Sequence, residues 1–297
     1  VGVLQLLLQS GADIDLTDGE GKTPLAAAAS CGFVEPVRLL LDASANVLSA
    51  DRYGDTALIG ASRVGHSEIV SLLLDAGADR SVANNNGAAA LHVASIGGHE
   101  EVVGLLLPVG IDLFDRYGKT ALHWGAHAGH DGVVRLLLRA GGDVSKVDNR
   151  GKTAFLEASS RGWSRTAQLL LPMVCDKDLA DNFGRTALHW AAFQGDQELA
   201  CMLLTAQADA NLRDLGGATA LHVAALRGRI EVMRWLLLAG GDANLADCNG
   251  RTPLFTASKL GHSDTASLLL EARASTDFAD EDGGTALQWA SFAGHEN

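Results

Sequence analysis

The sequence predicts an all-α solenoid of stacked helix-turn-helix units joined by extended, hairpin-like returns, and three regularities carry that reading. Glycine recurs at Gly21, Gly54, Gly87, Gly118, Gly151, Gly184, Gly217, Gly250 and Gly283, every step being 33 residues except one of 31 between Gly87 and Gly118. A second glycine follows each by eleven residues, from Gly32 to Gly294. Leucine triplets keep the same beat, from Leu6 to Leu8 through Leu268 to Leu270, with Met202-Leu203-Leu204 and Trp235-Leu236-Leu237 in the same slot.

The elements of one unit follow from residues 115–147. Asp115 and Gly118 bracket a turn, because Asp can accept from the backbone ahead and Gly tolerates positive φ. Thr120 is then positioned to cap a short helix, and the residue after the equivalent threonine is proline in Thr23-Pro24 and Thr252-Pro253, the favoured first helical position. That helix stops near Gly129, and a second runs from about His130 to Arg139 with Val133, Val134, Leu137 and Leu138 on one side. Gly141 and Gly142 end it, and an extended return leads to the next unit. Neither helix is long enough to be stable alone in water, so each unit depends on its neighbours.

These strings resemble the ankyrin repeat: DxxGxTxLHxAxxxGHxxxVxxLLxxGAD, seen as TALHWG at Thr120, TALHWA at Thr186, TALHVA at Thr219 and TPLFTA at Thr252. The resemblance implies one array over residues 1–297: the end of a preceding repeat at 1–17, full repeats at 18–50, 51–83, 84–114, 115–147, 148–180, 181–213, 214–246 and 247–279, and a partial repeat at 280–297. Three departures are expected to loosen or bend the stack locally. These are Ala88-Ala89-Ala90 in place of the threonine turn, Pro108 with a two-residue deletion before Asp115, and Phe155-Leu156 in place of Leu-His. The segment reads as part of a longer array, with Leu4, Leu7, Trp289 and Phe292 partly exposed.

Composition narrows the functional classes. The chain has 297 residues with 23 Lys and Arg against 36 Asp and Glu, a net charge of −13 that disfavours wholesale coating of nucleic acid. No apolar run approaches the roughly 18 residues of a membrane helix, and no leader pattern stands at Val1. Cys31, Cys175, Cys201 and Cys248 form neither a close pair nor a CxxC, which fits a reducing, cytoplasmic setting. No membrane insertion and no nucleic-acid partner are expected.

The resemblance further implies that turns and the inner face of the first helix contact partners, while residues fixed by register hold the stack. Among the variable positions, Arg52, Tyr53, Arg116, Tyr117, Trp124, His127, Arg150, Arg161, Phe183, Trp190, Phe193 and Arg227 are the candidate partner-binding residues, arginine and aromatic side chains being the commonest anchors of interfaces. Over the turn and first-helix positions twelve cations face four anions, a net +8 against −21 for the remainder, the footprint expected for an acidic partner. The competing reading is that Lys or Arg before Thr is a habit of the repeat, and counting the repeat-opening aspartates brings the local balance to about zero. The resemblance thus implies a non-enzymatic scaffold that binds a protein, possessing neither cofactor nor metal.

The chemistry-bearing residues each have a structural reading as well. His92, His123, His189 and His222 occupy the TALH slot, while His66, His99, His130, His262 and His295 occupy a Gly-His slot where the family uses imidazole to tie neighbouring turns together. His123, His127 and His130 have acceptable metal-ligand spacing but lack a completing carboxylate or cysteine. Glu157 with Arg161 four residues on reads as a helical ion pair. The alternative is a small-molecule or catalytic pocket around Trp124, His127, Glu157 and Trp190 with Glu157 or His127 as acid or base, although no GxSxG, Walker A, GxGxxG or HExxH string accompanies it. Asn211 and Asn244, in DANL strings, resemble asparagines that hydroxylases modify in this family.

Overall fold

Threonine and glycine delimit the first helix of each pair. In the computed structural model, which describes residues 2–294, Thr23 stands in extended backbone before Pro24 and Gly32 takes a left-handed φ of 81° behind Cys31. The same bounds enclose α2 (Pro24–Cys31), α4 (Ala57–Val64), α6 (Ala90–Gly97), α8 (Ala121–Ala128), α10 (Ala154–Arg161), α12 (Ala187–Gln194), α14 (Ala220–Arg227), α16 (Pro253–Leu260) and α18 (Ala286–Ala293). Between them run α1 (Gly2–Gln9), α3 (Val34–Asp42), α5 (Ser67–Asp75), α7 (Glu100–Leu106), α9 (Asp131–Arg139), α11 (Ser164–Leu170), α13 (Gln197–Thr205), α15 (Ile230–Leu238) and α17 (Ser263–Glu271). Among the described residues there is no strand, and pairing at the returns is reduced to isolated bridges such as Ala50 with Thr56.

The chain divides into two compact units, 1–149 and 150–297, each a stack of helix pairs. In the first, α2, α4, α6 and α8 pack in succession, and α3, α5, α7 and α9 form the second row. In the second, α10 to α18 repeat the arrangement. The middle leucine of the triplet is the one that enters the core: Leu40, Leu73, Leu106, Leu137, Leu170, Leu203, Leu236 and Leu269 are all buried. Val133 and Val134 are buried beside Leu137, while Leu138, expected on the same side, is only half-buried. Short helices of seven to nine residues persist because this burial, and not helix propensity, stabilises them.

Of the expected irregularities, the alanine turn leaves the register intact. α6 starts at Ala90 as its counterparts do, Ala89 is buried and bridged to Ala83, and the Ala89 N–H still donates to His92 Nδ1 at 3.2 Å. The same imidazole contact is made in the threonine turns at Thr120, Thr186 and Thr219, so only the hydroxyl's contacts are lost at Ala89. Proline is the feature that shortens helices: α7 ends at Leu106 before Pro108, and α11 ends at Leu170, followed by a single tight turn at Leu171–Met173 that contains Pro172. Phe155 and Leu156 are simply buried in α10. Leu7 and Phe292 are exposed, and Leu4 and Trp289 half-buried.

Histidine ties adjacent turns. The His99 ring lies against Gly65, and its Nε2 bonds the Arg63 carbonyl at 3.1 Å; His130 does the same to Ile96 at 3.1 Å, and His262 bonds Ala225 through Nδ1 at 3.1 Å. Glycine is required at Gly65 both for its φ of 87° and because a Cβ there would lie 2.5 Å from His99 Nδ1. His295 lies outside the described residues.

Candidate functional site

The turn tips are built by aspartate. Asp51 Oδ1 accepts from the Tyr53 and Asp55 N–H groups at 2.8 and 2.9 Å, and Asp115 and Asp181 close their turns in the same way. Successive tips are then joined by backbone bonds: Arg52 N–H to Glu20, Asn85 to Tyr53, Arg116 to Asn86 and Asn149 to Tyr117 in the first unit, and Asn182 to Arg150, Leu215 to Phe183, Cys248 to Gly216 and Glu281 to Asn249 in the second. These bonds hold the tip side chains at fixed spacing. Asn211 and Asn244 bridge the opposite returns, their Oδ1 atoms accepting from Asp242 and Ser275 at 2.8 and 2.7 Å.

In the first unit the candidate residues form one pair and one cluster. Arg52 lies over the Tyr53 ring, 4.7 Å from its centroid, and also bonds Glu20 at 2.7 Å. Arg116 repeats the stack on Tyr117 at 4.7 Å, and Tyr117 meets Trp124 edge to face at 6.3 Å. The Trp124 indole N–H donates to Asp115 Oδ2 at 2.8 Å, Lys119 Nζ lies 4.5 Å from its ring centroid, and His127 meets its edge at 5.3 Å. Such contacts fix the aromatic rings before any partner arrives.

In the second unit the candidates make a chain. Phe183 stands exposed with Arg185 5.5 Å from its ring centroid, and Arg185 also approaches Trp190 at 5.2 Å. Trp190 meets Phe193 edge to face at 6.1 Å, and Arg227 lies over Phe193 at 4.0 Å. Lys152 approaches Trp190 from the other repeat at 4.5 Å. Trp190 Nε1 and Asp181 Oδ2, the counterparts of the bonded pair at Trp124 and Asp115, are each buried without a partner. Arg150 is exposed at its tip.

Several cations counted in the basic surface are already occupied. Arg63 pairs with Asp55 at 2.7 Å, Arg185 with Asp214 at 4.0 Å, and both Lys152 and Arg161 with Glu157 at 3.7 and 3.8 Å. Arg116 and Arg227 have no carboxylate within ion-pair distance among the described residues. The Glu157–Arg161 pair follows from its spacing, whereas a sum of charges carries no distances and so does not pair Arg63 with Asp55, Lys152 with Glu157 or Arg185 with Asp214.

The expected ion pair of Glu157 and Arg161 is present, and the alternative central pocket gains no support. Glu157 is 4% exposed and pairs with two cations, Lys152 and Arg161. The TALH histidines are structural. In His189 and His222 Nδ1 accepts from the threonine N–H and hydroxyl, and Nε2 donates to the carbonyl of Ala218 or Arg251 at 3.0 Å. Burial pushes the imidazoles of His92, His189 and His222 below their ordinary value of 6.5, the carbonyl bonds opposing that shift only in part.

A free volume lies elsewhere. A cavity of about 360 Å³ opens in the second unit between α14 and α16, lined by Val223, Leu226, Phe255 and Leu260 with Asp247, Arg251, Thr256 and Lys259. The sequence does not single it out, since the slot after the TALH histidine or its equivalent is small at Ala27, Gly60 and Val93 as well as at Val223 and Thr256.

Helix pairs stacked in register, with ordered tips that present stacked arginine and aromatic side chains, define a repeat scaffold whose variable surface is its tips and first helices. A family model for ankyrin repeats (3 copies) matches residues 1–84, 61–148, 133–214 and 221–297, and the chain belongs to the ankyrin repeat family. Ankyrin repeats are generally protein-protein interaction modules, and the family is typically non-catalytic. Comparison with curated proteins finds no match. No helix among the described residues is long and apolar enough to cross a membrane.

Proposed function

We propose that the chain is a non-enzymatic scaffold that binds a protein partner carrying an acidic segment, through its turn tips and the inner ends of its first helices. The observation that carries this reading is the stacking of exposed guanidinium groups on aromatic rings, at Arg52 on Tyr53, Arg116 on Tyr117 and Arg227 on Phe193. A guanidinium stacked on a ring has little rotamer freedom left to lose and can still turn its edge to a carboxylate, as Arg52 does to Glu20 at 2.7 Å, while Arg116 and Arg227 carry no ion pair among the described residues. The repeats run as 18–50, 51–83, 84–114, 115–147, 148–180, 181–213, 214–246 and 247–279, each contributing one tip. Four free cysteines, Cys31, Cys175, Cys201 and Cys248, suit the cytoplasm.

The test is quantitative capture from lysate of the source organism, comparing the chain with a folded triple variant carrying Arg52→Glu, Arg116→Glu and Arg227→Glu. Proteins retained by the first and lost from the second support the reading. An identical set on both overturns it.

A further inference from the structure

In the second unit three large apolar side chains stand exposed at the inner ends of successive first helices: Phe193 on α12 at 36%, Leu226 on α14 at 50% and Leu260 on α16 at 44%. The stack does not require them. The slot of Phe193 and Leu226 holds Ser30, Arg63, His127, Ser160 or Lys259 in five other repeats, and the slot of Leu260 holds Gly97, Ala128, Arg161 or Gln194 in four. The three are contiguous. Arg227, the residue after Leu226, lies 4.0 Å over the Phe193 ring, and Leu226 and Leu260 line one recess between α14 and α16. In the first unit Val64 and Ile96 make such a pair over two repeats only, and Arg63 beside them is taken by Asp55 at 2.7 Å.

Charge lies along the same row. Arg227 is exposed, with no carboxylate within ion-pair distance among the described residues. Arg251 and Lys259 line the recess together with a single carboxylate, Asp247, whose Oδ1 already accepts from the Asn249 and Arg251 N–H groups at 2.8 and 2.9 Å. Cations in excess around exposed leucine and phenylalanine complement a partner surface that is apolar with carboxylates beside it.

Spacing says how that surface is built. Helices packed side by side stand about 8–10 Å apart, which sets the interval between anchors of neighbouring repeats. An α-helix advances about 10.5 Å in seven residues, two turns, and presents the same face again. A β-strand covers about 10 Å in three residues, an odd number, and so turns its next side chain away. Polyproline II also returns to its face in three residues, but the grooves that take it are lined by aromatic rings, whereas this row has one ring and two leucines.

We propose that this row docks an acidic amphipathic helix of a protein partner, with apolar residues seven apart on Phe193, Leu226 and Leu260 and carboxylates facing Arg227 and Lys259. The proposal rests on the reading of the chain as a protein-binding scaffold and gives the form of the acidic segment. A helix of about 15 residues spans the three anchors. An anionic membrane suits the row less well, because the chain as a whole carries a charge of −13.

Selection from a display library of random peptides about 18 residues long, with the whole chain as bait, tests it. The recovered sequences should carry net negative charge and large apolar residues seven apart. Synthetic copies should bind about tenfold more weakly to the double variant Leu226→Ser with Leu260→Ser, and a proline placed between the apolar positions, which breaks a helix, should abolish binding. Arg227→Glu, a single exposed change, gives a similar loss should the double variant fail to fold. Recovery of no peptide, of peptides without net negative charge, or of peptides with apolar residues three apart overturns the proposal, as does unchanged binding to a folded variant. Sedimentation with phosphatidylserine vesicles that is lost from the same variants overturns it in favour of a membrane surface. A protein still captured by the double leucine variant but lost from the tip triple variant removes the row and leaves the scaffold reading standing, whereas a protein captured equally by both and by wild type removes that reading too.

Discussion

Trp124 donates its indole N–H to Asp115 Oδ2 at 2.8 Å, while Asp115 Oδ1 closes the turn beneath it through the Tyr117 and Lys119 N–H groups at 2.9 and 2.8 Å. One carboxylate therefore couples the shape of a tip to the placement of the groove aromatic beside it. Trp124→Phe keeps most of the apolar contact and removes the donor, leaving a buried oxygen without its bond. A destabilisation of about 1–2 kcal/mol is expected in urea titration, with the Tyr117 ring less ordered by NMR relaxation.

Glu157 is expected to matter for stability and not for binding. Glu157→Gln removes the countercharge from Lys152, whose side chain is also buried and donates to Ser160 Oγ at 2.8 Å. A loss of about 1–3 kcal/mol follows for a charge left short of its partner. Partner capture by the folded fraction stays at the wild-type level; a selective loss of capture would restore an active role for this carboxylate.

Stability should fall with mild acid. His92, His189 and His222 are neutral in the folded chain, with imidazole values pushed below 6.5 by burial. The unfolded chain then binds more protons than the folded one as pH drops through about 6.5, so unfolding becomes easier, at up to about 1.4 kcal/mol per pH unit for each histidine. Asp18, held below the ordinary 3.8 by backbone N–H groups from Lys22 and Glu20, and Asp79, held down first by the Ser81 hydroxyl, lose their contribution only at still lower pH. Urea midpoints measured between pH 7 and 5 should decline, and His222→Gln should flatten that decline.

The glycine that seats a histidine can be separated from the glycine that only turns the chain. Gly65 and Gly77 share a φ of 87°, but a Cβ at Gly65 meets the His99 ring at 2.5 Å while one at Gly77 meets nothing within 4 Å. Gly77→Ala reports backbone strain alone, about 1 kcal/mol, and Gly65→Ala is expected to cost distinctly more. Thermal unfolding of the two variants gives the comparison, and equal losses would show that His99 yields freely.

Charge reversal at Arg116 and Arg227 should leave stability within about ±0.5 kcal/mol, since both side chains are exposed and without ion pairs among the described residues. Isothermal titration with a captured partner should then show weaker binding that depends on salt. Arg63→Glu, by contrast, breaks the 2.7 Å pair with Asp55 and tests the turn rather than the surface.

What the sequence by itself determined is everything that repeats. Thr120 before a helix, Gly129 behind it, the middle leucine of each triplet in the core and histidine on the next turn all follow from a period in which each residue meets the same neighbours again. The candidate residues were legible for the same reason, as positions where the period is broken. What only the tertiary structure decided is how broken positions combine: that Arg185 is taken by Asp214, that Glu157 is enclosed by Lys152 and Arg161, and that Val223 and Thr256 together leave a cavity. Each of these depends on distances between side chains of adjacent repeats, over which long side chains have rotamer freedom and small ones leave space. A one-dimensional period carries which residues become neighbours, and the contact itself is set by volume and rotamer in three dimensions.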